Sequence, residues 1–375
     1  MQPLLDVSHY ASQDWFDIES SAVFKRVWIL AAIGPMLSKH NDFRTLDIAG
    51  VPVVLQNNSG DVRAFLNICR HRMATIQNDE FGNRPLTCRY HHWSYDAQGQ
   101  LQHTHKDPSV FGFTESEKAE IRLREFRTAV VGGLIFVNLA DDPMPLEEQF
   151  DPAMLALLAA ATSRMDSTFV YTRYQAAFNW KTGIENIKDA LHVQCLHKAT
   201  FPEYFDIDVG AVAAAAPSVM AFAPGEVPLS KASTMADVLM QDSPQLPWHS
   251  LVEQLDSKGR YRAFQLFPNV NLMIVDGTSF AIQIYNPLAA GKTEMQMMVA
   301  LTKPVADFPH KPVVLWEHLV SDMRVLQEDI DCLEAIQKNF AAADFDVIHG
   351  AYEMPILEFQ AAYLSQVRRA GFEAA

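Results

Sequence analysis

The pattern of apolar and polar residues divides the 375-residue chain into a helical start, a β-rich first half and a mixed second half. Near the N-terminus, apolar residues recur at roughly helical spacing from Phe16 to Val27, with Ser12 or Asp14 as the candidate N-cap. Short apolar runs then predict strands at residues 51–55, 62–66 and 130–137. The sequence Asn57-Asn58-Ser59-Gly60 predicts a hairpin turn between the first two strands. We therefore expect a small all-β domain after an N-terminal helix.

The second half predicts a mixture of helices and strands after an acidic, proline-containing stretch at residues 141–145. Helices are predicted at 146–162, 180–194 and 313–340, and strands at 169–174, 261–275, 279–285 and 293–302. Residues 205–258 are rich in Ala, Pro and Ser and predict no clear element. The apolar stripe of the last helix consists of Leu315, Leu319, Leu326, Ile330, Leu333 and Ile336. Strands followed by this helix favour an α+β fold in which a helix lies on an antiparallel sheet.

Composition and charge narrow the class of protein. Apolar residues make up 49% of the chain and charged residues 20%, which excludes an intrinsically disordered chain. With 45 Asp and Glu against 30 Lys and Arg, the net charge of −15 argues against binding to nucleic acid or to an anionic membrane. No apolar run approaches a membrane span, and the first residues lack the features of a signal peptide. We therefore expect a soluble cytoplasmic protein.

Two short segments each carry one cysteine and one histidine, in the pattern C-x-H-x16-C-x2-H. The four residues are Cys69, His71, Cys88 and His91. This set suits either a zinc ion or a [2Fe–2S] cluster with two Cys on one iron and two His on the other. Zinc fingers usually pair Cys with Cys, whereas here each segment can send its Cys to one iron and its His to the other, which favours the cluster. The other cysteines, Cys195 and Cys332, are expected to be small buried hydrophobes.

The residues around these segments resemble the cluster loops of Rieske-type non-haem iron ring-hydroxylating oxygenases. Family members commonly read CRHRG and CPYHGWSYD; this chain departs at Met73, Arg89 and His92, where Gly, Pro and Gly are usual. High-potential Rieske proteins resemble the chain less, because Ala74 and Tyr90 stand where those proteins have a disulfide. An oxygenase is therefore favoured over a respiratory electron carrier.

A second motif, D-x2-H-x4-H, is formed by Asp189, His192 and His197. Asp189 and His192 share a helix face, but His197 lies about 140° further round an ideal helix. Both histidines reach one metal only if the helix bends or ends between them. Two His and one carboxylate form the ligand set of non-haem Fe(II) oxygenases.

The resemblance supplies the third ligand and a role for Asp189. By match to the family's C-terminal helix, Asp329 is the carboxylate ligand, with Asp331 and then Glu328 as rivals. The family uses the residue at Asp189 to bridge a cluster histidine, here His91, and an iron-ligand histidine, here His192, of two subunits. This arrangement implies a head-to-tail homotrimer.

The resemblance also implies the domain plan and the activity. It places an N-terminal helix on the catalytic domain at 1–30, an all-β Rieske domain at 31–142 and a catalytic domain at 143–375. The catalytic domain is expected to be an antiparallel sheet covered by helices, similar to a helix-grip fold. The expected function is that of a terminal oxygenase, which hydroxylates or dihydroxylates an aromatic or heteroaromatic compound at a mononuclear Fe(II). It would use O2 and NAD(P)H electrons delivered by a ferredoxin or a flavin reductase.

Three alternatives stay open at this point. The first is a Rieske monooxygenase that N- or O-demethylates a small substrate such as a quaternary amine. Such a substrate needs an aromatic cage, for which the candidates are Phe201, Tyr204, Phe205, Phe264 and Tyr285. The second is a zinc-stabilised binding protein, and the third is an electron carrier that holds the cluster alone.

Overall fold

A computed structural model describes residues 3–104, 110–189, 191–200, 227–240, 243–345 and 347–372. The chain divides into two units, one formed by Phe24–Met144 and the other by Met1–Val23 with Pro145–Ala375. We expected residues 1–30 to join the catalytic part. Residues 24–30 instead lie in the β-rich unit, because the strand that starts at Ile29 pairs with another strand of that unit.

The N-terminal segment forms two short helices, α1 (Ser8–Ala11) and α2 (Gln13–Glu19), and a π-helical turn at Ser20–Phe24. Ser12 is the N-cap of α2, because its hydroxyl accepts a hydrogen bond from the N–H of Trp15 at 3.3 Å. At the end of α2, Glu19 is fully buried and pairs with Lys181 at 2.6 Å. The indole of Trp180 and the hydroxyl of Tyr363 donate to the same carboxylate, both at 2.8 Å. The N-terminal helices are therefore fixed to the unit that contains residues 145–375.

The β-rich unit contains nine strands, one α-helix and a short 3-10 helix at Gly34–Leu37 among its described residues. The strands and the α-helix are β1 (Ile29–Ile33), β2 (Asp42–Ile48), β3 (Val51–Asn58), β4 (Asp61–Leu66), β5 (Phe81–Asn83), β6 (Ser94–Tyr95), β7 (Leu101–His103), α3 (Glu115–Glu120), β8 (Glu125–Val131) and β9 (Leu134–Asn138). Seven strands form an antiparallel sheet in the order β1-β9-β8-β4-β3-β2-β5, and β6 pairs with β7. Phe43, Phe65, Ile76 and Trp93 are among the residues of its core.

Two predictions about this sheet have different outcomes. The hairpin turn at residues 57–60 is confirmed, since β3 and β4 pair up to Asn58 and Asp61. The single strand predicted at 130–137 is wrong, because β8 and β9 form a hairpin there. Gly132, with a φ of 59°, takes the left-handed conformation that reverses the chain.

The other unit contains a six-stranded antiparallel sheet and further helices. In chain order they are α4 (Leu146–Gln149), α5 (Pro152–Thr162), β10 (Met165–Ala176), α6 (Trp180–Lys188), α7 (Leu191–Leu196), β11 (Thr234–Leu239), β12 (Arg260–Leu266), β13 (Val270–Val275), β14 (Ser279–Ala289), β15 (Lys292–Thr302), α8 (Lys311–Asn339) and α9 (Met354–Arg369). The strand order is β10-β15-β14-β13-β12-β11. Helix α6 contacts β12, β13 and β14, whereas α8 contacts β10 and β15.

The predicted α+β class is confirmed, with two local corrections. The helix predicted at 146–162 is two helices, because Phe150 is extended and Asp151 starts α5 by accepting the N–H groups of Ala153 and Met154. In α8 the predicted apolar stripe is buried from Leu315 to Leu333, but Ile336 is 42% exposed. Within the described ranges, none of the helices has both the length and the apolar character needed to cross a bilayer.

Candidate metal centre

The two histidines of the second motif lie beside two helix ends, one before His192 and one before His197. Helix α6 ends at Lys188 and Asp189 is extended, with φ −92° and ψ 102°. Oδ1 of Asp189 accepts the N–H of Leu191, the first residue of α7, at 2.8 Å. The helix predicted from 180 to 194 is therefore interrupted. Helix α7 in turn ends at Leu196, between His192 and His197, which meets the condition that the sequence set for both histidines to share a metal.

Three side chains converge beside this break. Nε2 of His197 lies 3.1 Å from Oδ1 of Asp329, and Nε2 of His192 lies 3.5 Å from the same oxygen. One ligand atom from each residue lies within 4.8 Å of the other two. His197 is 2% and Asp329 8% exposed, so the group is nearly closed to water on the side of α8. The structure thus brings together the three residues named as ligands of a mononuclear metal.

The donor set fits a ferrous ion. Oδ1 of Asp329 is buried without a hydrogen-bond partner, which is costly for a carboxylate oxygen unless a cation is bound. Two imidazole nitrogens and one carboxylate oxygen on one side of a metal leave further coordination positions open. Neither rival carboxylate lies in this group. Asp331 is exposed and accepts a hydrogen bond from Gln327 at 2.8 Å.

Glu328 has a role that the sequence analysis did not find. Its Oε2 lies 2.7 Å from Nδ1 of His197 and accepts the hydroxyl of Thr200 at 2.6 Å. These two hydrogen bonds lower the pKa of Glu328. Burial alone would lower the pKa of His197, but the neighbouring carboxylates of Asp329 and Glu328 raise it overall. Glu328 therefore orients His197 from the side of the ring that faces away from Asp329.

Asp189 contacts His192 in a way that differs from the expected carboxylate bridge. Nδ1 of His192 makes its short hydrogen bond to the backbone carbonyl of Asp189, and Oδ2 of the Asp189 side chain lies 3.6 Å from the same nitrogen. Burial would raise the pKa of Asp189, but contacts with His192 and the N–H of Leu191 lower it overall. The carboxylate is therefore ionised and beside His192, with its side chain 23% exposed.

The two Cys/His segments form matching loops in the β-rich unit. In each loop the cysteine N–H donates to a carbonyl beyond the loop tip, and a residue at the tip donates back to the cysteine carbonyl. In the first loop, Cys69 donates to the carbonyl of Ala74 and accepts from the N–H of Met73. In the second loop, Cys88 donates to the carbonyl of Trp93 and accepts from the N–H of His92. The tip residues Met73 and His92 have left-handed φ angles of 58° and 57°. These are two of the three positions at which the chain departs from the family pattern, and glycine is usual at both.

The atoms within the loops fit a cluster with two Cys and two His ligands. Cys69 and Cys88 are buried, and the rings of His71 and His91 lie 4.5 Å apart. Nδ1 of His71 is buried without a hydrogen-bond partner, so it is available as a ligand. The hydroxyl of Tyr95 lies 3.2 Å from Sγ of Cys69, and burial raises the pKa of that thiol.

Other predicted residues lie away from these groups. Cys195 and Cys332 are exposed, so their prediction as buried hydrophobes is wrong; each lies on the outer side of a helix that supplies a candidate ligand. Of the cage candidates, Phe201, Tyr204 and Phe205 lie outside the described residues. Phe264 and Tyr285 are buried in the core of the sheet.

Comparisons with known proteins agree with both sites. A family model described as the ring hydroxylating alpha subunit (catalytic domain) matches residues 165–369, and a Rieske [2Fe-2S] domain model matches residues 28–114. The glycine betaine monooxygenase oxygenase subunit of Pseudomonas aeruginosa is 30% identical over 194 residues, covering 50% of this chain and 43% of that protein. Toluate 1,2-dioxygenase subunit alpha of Pseudomonas putida is 30% identical over 195 residues, covering 48% and 42%. The chain thus spans less than half the length of these two relatives.

A solved structure has a similar fold across nearly the whole chain. A crystal structure of a quaternary ammonium Rieske monooxygenase with an inhibitor has a TM-score of 0.74 at 19% identity. It covers 97% of this chain and 94% of its own. The combination of a β-rich domain and a helix-covered antiparallel sheet is therefore a known arrangement.

Proposed function

The chain belongs to the family of ring-hydroxylating oxygenase alpha subunits, and on that premise we propose that it is the terminal oxygenase of a multicomponent Rieske system. It hydroxylates or dihydroxylates an aromatic or heteroaromatic compound with O2. The observation that carries the proposal is the convergence of His192, His197 and Asp329, with an unpaired buried oxygen at its centre.

The candidate ligand residues form two metal-binding groups. Cys69 and Cys88 would hold one iron of the cluster, and His71 and His91 would hold the other. His192, His197 and Asp329 would hold the mononuclear iron. When bound, the cluster supplies single electrons and the ferrous iron supplies coordination positions for O2, which together provide the chemistry of hydroxylation.

The chain's own residues fix the two imidazoles for this role. Glu328 accepts the Nδ1 proton of His197, and the carbonyl of Asp189 accepts the Nδ1 proton of His192. Each ring thereby directs its Nε2 toward Asp329. The helix break at Asp189 sets the direction of His192, and α8 presents Asp329 opposite both rings.

Asp189 also suits a link between two copies of the chain. Its carboxylate is ionised, partly exposed and next to a proposed iron ligand. We assign Asp189 to the bridge between His192, which its backbone carbonyl contacts, and the His91 of a neighbouring subunit, which its carboxylate would contact, in a head-to-tail trimer. Electrons come from NAD(P)H through a ferredoxin or a flavin reductase.

A second candidate is a monooxygenase that demethylates a small substrate such as a quaternary amine. The similarity to the glycine betaine monooxygenase subunit favours it. The products distinguish the two candidates, because demethylation releases formaldehyde, whereas ring hydroxylation yields a phenol or a cis-dihydrodiol.

Metal analysis of three proteins tests the assigned ligands. The wild type should hold about three irons per chain, and Asp329→Ala should lose about one while keeping the visible absorbance of the cluster. Asp331→Ala, the matched exposed control two residues away, should keep all of them. Loss of iron from Asp331→Ala, or none from Asp329→Ala, would show that the third ligand is misassigned.

A further inference from the structure

Amide side chains form a row across the sheet next to the metal-site helices. The strand registers place Gln265, Asn271 and Gln283 side by side on β12, β13 and β14. Thr234 on β11 stands opposite Gln265 at one end of the row, and Met297 on β15 stands opposite Gln283 at the other. Residues opposite one another in an antiparallel sheet point to the same face. These side chains therefore line one face together.

This face is the one covered by α6. Tyr285 and Gln283 are two residues apart on β14 and point to the same side. The ring of Tyr285 lies directly under α6, because a Cβ at Gly183 would come within 2.6 Å of it. Burial, and then the nearby Asp329 carboxylate, raise the pKa of Tyr285. The Tyr285 hydroxyl donates to Oε1 of Gln283 at 3.3 Å, so the row continues into Tyr285 on the face that α6 covers.

Gln265 and Asn271 differ in how their amides are used. Gln265 donates to the carbonyl of Ile187 and accepts from Lys188 at 3.3 Å, so both ends of its amide hold the end of α6. Asn271 donates to Oε1 of Gln283 at 3.1 Å, but its own Oδ1 is buried without a partner. Asn271 is 6% exposed, so water does not freely compensate this oxygen. Among the described members of the row, Asn271 therefore has an amide oxygen that accepts no hydrogen bond.

We propose that Asn271 is a specificity-determining residue whose amide oxygen accepts a hydrogen bond from the substrate. The substrate class is then a heteroaromatic compound with a ring N–H, rather than a plain aromatic hydrocarbon. Gln283 holds the Asn271 amide in place, and Tyr285 holds Gln283. A buried site built to receive a donor rejects an analogue that lacks the donor, because the acceptor is then left unpaired. This inference rests on the proposed function of the same site.

The test compares ligands that differ only in the donor. Indole and benzofuran form one pair, and carbazole and dibenzofuran the other. Dissociation constants are measured by calorimetry on the full-length, iron-loaded protein without reductant, so turnover is not needed. In the wild type the N–H member of at least one pair should bind about tenfold more tightly. Asn271→Leu should remove this preference, and Asn271→Asp, which keeps an oxygen there, should retain it.

Gln296→Leu is the matched control. Gln296 is a buried amide on β15 that points to the other face of the sheet, so its loss should leave the preference unchanged. Equal binding within both pairs, a preference that survives Asn271→Leu, or no binding of any of the four compounds would overturn the inference. Far-UV circular dichroism checks that Asn271→Leu folds; Gln283 should tolerate the change because Tyr285 still donates to it. Iron analysis of the same samples separates the proposed role of Asn271 from the proposed oxygenase function. Failure of the proposed function appears as missing mononuclear iron.

Discussion

Nδ1 of His197 lies 2.7 Å from Oε2 of Glu328. The opposite nitrogen of the same ring faces the proposed metal position. A carboxylate on the far side of a histidine ligand fixes its tautomer and orientation and increases its basicity. Because Glu328 and the ligand Asp329 are neighbours on α8, one turn of one helix supplies both a ligand and the group that orients another ligand.

Glu328→Ala should therefore weaken binding of the mononuclear iron by roughly 10- to 100-fold without disturbing the cluster. Competition with a ferrous chelator under anaerobic conditions measures the affinity. Asp331→Ala changes the charge of the same helix equally but contacts neither histidine, so it serves as the control. Equal affinities of the two variants would contradict the orienting role of Glu328.

Glycine at the tips of the two cluster loops should stabilise the protein. Met73 and His92 both hold left-handed backbone, which is unfavourable for residues with a Cβ. The Met73 side chain is 84% exposed, so Met73→Gly loses little packing. Each change to glycine should raise the free energy of unfolding by about 1 kcal/mol, after the entropy cost of glycine is subtracted.

Urea unfolding of the cluster-loaded protein measures this gain. Asn41→Gly is the control, because Asn41 also has a positive φ of 67° but asparagine tolerates that conformation. Its gain should be clearly smaller. A loss of stability in both Met73→Gly and His92→Gly would mean that the side chains at the tips make contacts that outweigh the strain.

The buried pair of Glu19 and Lys181 should be sensitive to the loss of one partner. Both side chains are 0% exposed, so Lys181→Met leaves a buried carboxylate without its cation. The cost should be about 3–5 kcal/mol in the free energy of unfolding. Combining it with Glu19→Gln should recover part of that cost. Asp61→Asn, which removes one exposed partner of Arg63, should cost less than about 1 kcal/mol. Similar costs for Lys181→Met and Asp61→Asn would contradict this account.

Because of Glu185, the free energy of unfolding should decrease as the pH rises from 4.5 to about 7. Burial raises its pKa from 4.5 to about 7, although hydrogen bonds from Gln360 and Tyr10 act in the opposite direction. The folded state thus holds this proton more tightly than the unfolded state. The resulting stability is present below pH 4.5 and is lost as the pH rises to about 7.

Glu185→Gln isolates this contribution, because it keeps the shape of the side chain but does not titrate. Relative to that variant, the wild type should lose roughly 3 kcal/mol between pH 4.5 and 7. Denaturant titrations at several pH values give the difference. A constant difference across this range would show that Glu185 is already ionised in the folded protein throughout the range.

A feature could be predicted from the sequence when the residues that form it lie close together in the chain. The Cys/His loops were readable because all four residues lie in two short segments with fixed spacing. A helix end between His192 and His197 was required by geometry alone, since the two cannot share a metal on one straight helix, and α7 ends at Leu196. Asp329 lies far along the chain, and only the family resemblance selected it over Asp331.

The features that were missed depend on tertiary structure. Glu328 orients His197 because α8 lies beside the segment that follows α7, and no sequence pattern encodes that placement. The amide row at Asn271 arises from the registers of neighbouring strands, which are set by turns in between. The run at 130–137 read as one strand because both arms of its hairpin are apolar, although Gly132-Gly133 was the available signal for a turn.

The most direct test of the central claim is electron paramagnetic resonance of anaerobically purified, ferrous-reconstituted protein, reduced with dithionite and then exposed to nitric oxide. The account predicts a Rieske signal on reduction and a high-spin iron–nitrosyl signal afterwards. His192→Ala should keep the first signal and lose the second. A wild-type protein that shows no Rieske signal and contains zinc, or that shows no nitrosyl signal after reconstitution, would contradict the assignment of two iron sites to this chain.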